Sequence, residues 1–260
     1  MLWSSSEEAP WAALWARYDD VLQSLQISEL TELDAWYLTS FPSILRTREP
    51  KPFITNKELQ RLMKWKLKKG KWRPQLMKFV MGLSEKEVKK ASCKAFQELK
   101  IGDLRSATDA LCVLKGVGPA TASAVLAAYD ESVPFMADEA LEAIAGIIGP
   151  RKYTLPHFLS FVDALRAKTR WLNEQRAAND NEIAGATEVW TAQRVQLCLY
   201  AEAHDGRSTS TTTKTAAKRK RRNVVTTLPL AEKKVGKVQE EDAKDQSLRK
   251  SSRKRQRPAS

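Results

Sequence analysis

Apolar residues recur at helical spacing along roughly the first two hundred positions and then cease. Trp11, Leu14, Trp15, Tyr18, Leu22 and Leu25 form the first stripe, read as a core-facing helix from Pro10 with Glu7 and Glu8 before its positive end. A second helix is expected over 31–40, stopped by Pro42, and Pro50 and Pro52 mark a loop. Thr55 with Glu58 reads as a capping box. Behind it Leu59, Leu62, Met63 and Leu67 form an inward stripe, and Trp65 falls off that stripe among Arg61, Lys68 and Lys69. Gly70, Lys71, Trp72, Arg73 and Pro74 interrupt the pattern before a helix through Leu76, Phe79, Val80 and Leu83. Ser84 with Glu87 resembles another capped start. A later stripe runs through Leu141, Ile144, Ala145 and Ile148, ended by Gly149-Pro150. Residues 156–171 and 186–203 complete the series, with 177–182 as a loop; Val189, Trp190, Val195, Leu197, Leu199 and Tyr200 give the last helix a broad apolar face. No segment alternates with period two, so the body is expected to be all-α, with roughly 8–10 helices.

Residues 103–129 hold the sharpest local signal. Leu104, Ala107, Leu111 and Leu114 make a helical stripe. Gly116 suits the positive φ that ends a helix, Gly118 would let the chain re-enter one without a Cβ clash, and Pro119 suits a first helical position. Residues 119–129 are small or apolar almost all round, which predicts a buried second helix. The free N–H groups at its start would suit an anion. An ordinary helix end followed by a core helix fits the same residues. Asp138 follows Gly118 by twenty positions and also fits a helix N-cap.

Charge sharpens the division of the chain. The net charge is +13. From Lys214 onward there are 16 Lys+Arg and 5 Asp+Glu, so the tail carries 16 − 5 = +11. Residues 51–100 hold 15 Lys+Arg against 4 Asp+Glu, another 15 − 4 = +11, and the rest of the body is acidic. A body over 1–206 and a disordered tail over 207–260 follow from the change in composition. The tail cluster Lys218, Arg219, Lys220, Arg221 and Arg222 fits nuclear import, or a merely solubilising role. Cys93, Cys112 and Cys198 are too sparse and too far apart for a metal or iron–sulfur site and read as reduced thiols, Cys112 as packing. No cofactor is expected. The N-terminus lacks a signal-peptide pattern, and no apolar run approaches membrane-spanning length.

The stretch Leu-Lys-Gly-Val-Gly-Pro-Ala-Thr-Ala at 114–122, with Asp138 beyond it, resembles the helix-hairpin-helix DNA glycosylase superfamily. The blocks Lys-Trp-Lys-Leu at 64–67, Gly-Lys-Trp-Arg-Pro at 70–74 and the late Ala-Gln-Arg-Val…Leu-Cys-Leu-Tyr at 192–200 resemble, more narrowly, the Amun-like nuclear glycosylase-like proteins. The resemblance implies a mostly helical fold that flips a base out of the duplex and breaks its N-glycosidic bond. It implies that Lys115, Gly116, Val117, Gly118, Ala120 and Thr121 contact duplex DNA. Asp138 would stabilise the cationic sugar or orient the attacking water. Bifunctional members carry a Schiff-base lysine where this chain has Ala120, and Lys115 lies before the glycines. The resemblance therefore implies base removal by water, without lyase chemistry. Glu139 and Ala140 depart from the Thr-His that follows the aspartate in bifunctional members. A noncatalytic nuclear DNA-binding or scaffold protein on the same fold is the alternative, and a protein-binding body with only the tail on nucleic acid is a third.

The basic segment adds candidates of its own. Lys64, Trp65, Lys66, Lys69, Lys71, Trp72 and Arg73 interleave cations with tryptophans, as a surface that neutralises phosphates and stacks on an extruded base would. A solvated helix face with one core tryptophan is the competing reading. The partners expected are duplex DNA and the nuclear import machinery, the location the nucleus, the state a monomer, with no membrane.

Overall fold

The computed structural model describes residues 1–179 and 189–206, all within the first of the two units into which the chain divides, Met1–Thr212. The tail with its 218–222 basic cluster, and residues 180–182 of the expected loop, lie outside the described residues, whereas 177–179 of that loop are instead the last residues of a long helix, Leu155–Asn179. Among the described residues the fold is all-α: a short 3-10 turn at Leu2–Ser4, thirteen α-helices and one π turn, with no strand. None of these helices is long and apolar enough to cross a membrane.

The N-terminal stripe breaks into two helices, α1 (Ala9–Trp15) and α2 (Tyr18–Ser24), at Ala16–Arg17. Trp11, Leu14, Tyr18 and Leu22 are buried as the spacing demands. Pro42 does not stop the next helix. Helix α3 (Leu30–Ala35) runs through a π turn at Trp36–Ser40 into α4 (Phe41–Thr47), and Pro42 sits in the first turn of α4. In the widened turn the Phe41 amide reaches back five residues to the Trp36 carbonyl. That register absorbs a proline that has no N–H and would crowd the preceding turn of a regular helix.

Helix α5 (Asn56–Lys69) starts with the expected capping box: Thr55 Oγ1 accepts from Glu58 N at 3.2 Å, and Glu58 Oε2 accepts from Thr55 N at 2.7 Å. Arg48 grips the same Glu58 carboxylate at 2.8 and 2.9 Å. Helix α6 (Pro74–Met81) follows the basic turn, and Ser84 opens α7 (Glu85–Lys100) with a second complete capping box. Helix α8 (Leu104–Cys112), capped by Asp103 accepting from Ser106 N at 2.9 Å, doubles back along α7. Helix α9 (Pro119–Tyr129) is buried from Thr121 to Ala128 and touches α4, α5, α7, α8 and α12 (Leu155–Asn179). Between them, α10 (Asp138–Ala143) and α11 (Ala145–Ile148) end at Gly149, whose φ is +83°. Helix α13 (Ala192–His204) starts later than its stripe suggests, after a Thr191 cap that accepts from Arg194 N at 3.1 Å; Val189 precedes it and is exposed. It packs on α1, α2, α10 and α12. Stretches read as single helices are divided, which is why more helices appear than the pattern suggested.

Trp65 corrects the reading of the basic segment. Its side chain is 0% exposed, stacked on Tyr37 with centroids 3.6 Å apart, and its Nε1 donates to Asp34 Oδ1 at 2.7 Å. Helix α5 is flanked by α3, α6, α7 and α9, so its buried face is wider than one stripe. Lys69, one turn further on, is buried with it. Its ammonium donates to the same Asp34 Oδ1 at 2.7 Å and to the Tyr18 hydroxyl, and lies 4.2 Å from the Tyr200 ring centroid. The Tyr18 hydroxyl in turn donates to Asp34 Oδ2 at 2.7 Å. Neither Trp65 nor Lys69 is a free surface group for nucleic acid. Both hold the core together through a buried carboxylate that the stripe analysis did not single out.

Candidate nucleic-acid interface

Helices α8 and α9 form a tight αα-hairpin, and its turn faces outward. Val117 N donates to Leu114 O at 3.0 Å, and the buried Val117 side chain pins the loop. Gly116 takes φ +87°, and a methyl placed there would fall 2.7 Å from Phe79 Cβ on α6. That glycine is required twice over, by the left-handed backbone and by the close approach. Gly118 is different. Its backbone is extended and nothing lies within 4 Å of a methyl built on it. The anticipated Cβ clash is therefore absent, and the chain's own packing does not require a glycine here. The Thr121 and Ala122 amides donate to Gly118 O at 2.8 and 2.9 Å, which starts α9. Among the described residues, the amides of Gly116, Gly118 and Ala120 meet no acceptor. They lie at or just before the N-terminus of the buried α9, its positive end.

A linker at 133–137 carries the chain from α9 to Asp138, and two bonds hold it. Phe135 N donates to Gln193 Oε1 of α13 at 2.8 Å, and Met136 N donates to Ser123 Oγ of α9 at 2.9 Å. Asp138 is thereby set beside the hairpin. It opens α10, but its carboxylate caps nothing; the N-cap is Ala137. Oδ1 instead accepts from the Tyr153 hydroxyl at 2.6 Å, and Oδ2 lies 3.3 Å from Arg151, which also pairs with Glu142 at 2.5 Å. The reading of Asp138 as a plain helix cap is excluded by this geometry. Tyr153 and Arg151 were not singled out from the sequence, because nothing in local spacing connects 151–153 to 138.

The hairpin, the Asp138 linker and the basic turn 70–73 enclose a half-open cleft of about 190 Å³. Gly116, Gly118, Ala120 and Thr121 line one side, Asp138, Glu139 and Tyr153 another, and Lys66, Lys71 and Arg73 the third, with Lys69 at its inner end. The Arg73 guanidinium sits 5.5 Å from the Tyr153 ring centroid. Lys66 is the unusual member. Its ammonium makes no hydrogen bond or ion pair among the described residues. Burial, and next the Arg73 charge, push its pKa down from 10.5 to about 8, against the opposing pull of Asp138. Burial and the hydrogen bond to Asp138 raise the Tyr153 hydroxyl above its usual range.

The remaining candidates stand apart. Lys64 is paired with Glu29 at 2.5 Å, on the α3 side of α5. Lys115 is exposed on the hairpin with its ammonium 4.8 Å from the Phe79 ring centroid. Trp72 is 56% exposed on the basic turn. Among the described residues no group of three or more His, Cys, Asp or Glu could hold a metal ion. The partly buried Cys112 packs against the core, its thiol pushed up to about 11 by burial. Comparison with protein-family models, with curated proteins and with solved structures gave no match.

Proposed function

We propose that this chain is a nuclear DNA-binding protein of the DNA-glycosylase-like kind, and that it excises a base from duplex DNA with Asp138 as the catalytic carboxylate. The observation that carries the reading is the meeting of three groups in one cleft: unpaired hairpin amides, a carboxylate that caps nothing, and a cationic turn. Amides and cations suit sugar-phosphate oxygens. A carboxylate beside them suits the positive charge that grows on a sugar as its glycosidic bond breaks. The cleft, at about 190 Å³, is below the ~300 Å³ at which small-molecule pockets commonly begin, and suits one flipped heterocycle entering from outside. Trp72, exposed on that turn, suits stacking on an unpaired base. Nuclear location rests on the basic tail alone.

The test is base release from duplexes carrying a panel of damaged and mismatched bases. Release is expected with the wild-type protein and its loss in Asp138→Asn. No release from any lesion would refute the catalytic part. A second reading, a noncatalytic DNA-binding protein, is favoured by one observation: Tyr153 and Arg151 engage both oxygens of Asp138. It predicts salt-sensitive duplex binding that survives Asp138→Asn and falls when Lys71 and Arg73 are both changed to Gln.

A further inference from the structure

A lysine that lines a cleft, is largely shielded from solvent and has no counterion differs from a surface lysine. It retains the amine but loses what normally keeps it protonated. Lys66 fits this description. It lies on the cleft side of α5, one turn before the buried Lys69. Its three lysine neighbours on α5 are all occupied: Lys64 and Lys68 with Glu29, and Lys69 with Asp34. The charged or titratable groups that face it across the cleft are Lys71 and Arg73 from the turn, Asp138 and Glu139 from α10, and Tyr153. Two of these act on it most, Arg73 against the proton and Asp138 for it.

We infer that Lys66 is a carbonyl-reactive amine of this cleft, placed to condense with an aldehyde sugar in DNA. The inference rests on the DNA reading above, and its chemistry follows from that reading's own product. Removing a base leaves a deoxyribose whose C1′ hemiacetal opens to an aldehyde. The neutral Lys66 Nζ adds to C1′ and forms the N–C bond. The aldehyde oxygen then leaves as water, taking both amine hydrogens, and an imine remains. No oxidant or reductant is consumed. Asp138, which faces Lys66 across the cleft, can hold and return the protons that this dehydration moves. An amine that loses its proton near pH 8 is available at neutral pH to a far greater extent than an ordinary lysine. The absence of a hairpin lysine at Ala120 thus does not remove imine chemistry from the site; the amine arrives from a different helix.

The test uses the full chain and a duplex with a single preformed abasic site, with cyanoborohydride added to reduce any imine to a stable secondary amine. A covalent protein–DNA adduct is expected, mapped by peptide mass spectrometry to Lys66. It should be lost in Lys66→Arg, which keeps the positive charge, and retained in Lys100→Arg, at the exposed end of α7. The trapping rate should rise about tenfold between pH 7 and pH 9, as expected for an amine titrating near the middle of that range. Duplex binding is measured alongside for each variant. Wild-type protein that binds the abasic duplex without trapping, or a Lys66→Arg adduct of undiminished yield, would overturn the inference and leave the DNA reading standing. Failure to bind any duplex would overturn both.

Discussion

The buried carboxylate Asp34 is the point where the core is most exposed to a single change. Three donors converge on it: Trp65 Nε1 and Lys69 Nζ at 2.7 Å on Oδ1, and the Tyr18 hydroxyl at 2.7 Å on Oδ2. The Lys69 and Asp34 side chains are 1% and 2% exposed. In Asp34→Ala an ammonium is left in the interior without its counterion and the indole N–H without an acceptor. Breaking a buried ion pair from one side costs about 3–5 kcal/mol, a large share of the ~5–15 kcal/mol that holds a domain folded. Lys69→Met is milder. It keeps most of the side-chain volume, and the carboxylate retains two hydrogen bonds. Its expected cost is about 3 kcal/mol, the low end of the range for a broken buried pair, because the carboxylate left without its counterion is still hydrogen-bonded. The two variants also differ in pH dependence. Burial already holds the Lys69 pKa below 10.5, and Asp34 opposes that shift. Removing Asp34 lowers it further. The unfolded chain then binds a proton that the folded chain does not, from that lowered pKa up to about 10.5, so stability rises with pH through this window. Urea unfolding followed by far-UV circular dichroism, at neutral pH and at successive higher values, measures both effects. An Asp34→Ala variant within ~1 kcal/mol of wild type, or a deficit that does not shrink as pH rises, would refute the reasoning.

Gly116→Ala should destabilise by about 1–3 kcal/mol, since the new methyl meets the Phe79 backbone-proximal Cβ at 2.7 Å in a left-handed conformation; thermal melting checks it. Gly118→Ala should leave stability within ~0.5 kcal/mol, because its surroundings are open, yet weaken duplex binding if the bare loop packs on DNA. Trp65→Ala should cost about 3–5 kcal/mol and Trp72→Ala under ~0.5 kcal/mol, with only the second lowering affinity for duplexes that contain an unpaired base. Lys66→Met should abolish a rise in stability between pH 8 and 10.5, since the folded amine loses its proton near 8 and the unfolded one near 10.5. Comparing the two proteins' urea midpoints across that range isolates the effect.

Local chemistry was legible along the chain wherever it concerned near neighbours. Both capping boxes, the positive φ of Gly116 and the buried run of α9 involve residues a few positions apart, and each is present. Periodicity alone established an all-helical body. It failed at Pro42, where a π turn carries the helix across the proline, and at Trp65, where packing on several sides widened the buried face beyond one stripe. The cleft was half legible. Gly116, Gly118 and Asp138 could be named from their spacing. Tyr153 and Arg151, which hold Asp138, and Gln193, which ties down the linker before it, could not. Whether a lysine of the basic segment is ion-paired at the surface, locked into the core or left without a partner is equally invisible in composition. Lys64, Lys69 and Lys66 take these three different fates within two turns of one helix. A helix face is an angular property that the chain encodes locally. Burial and charge pairing depend on which other helices arrive against that face, and only the packed molecule decides that.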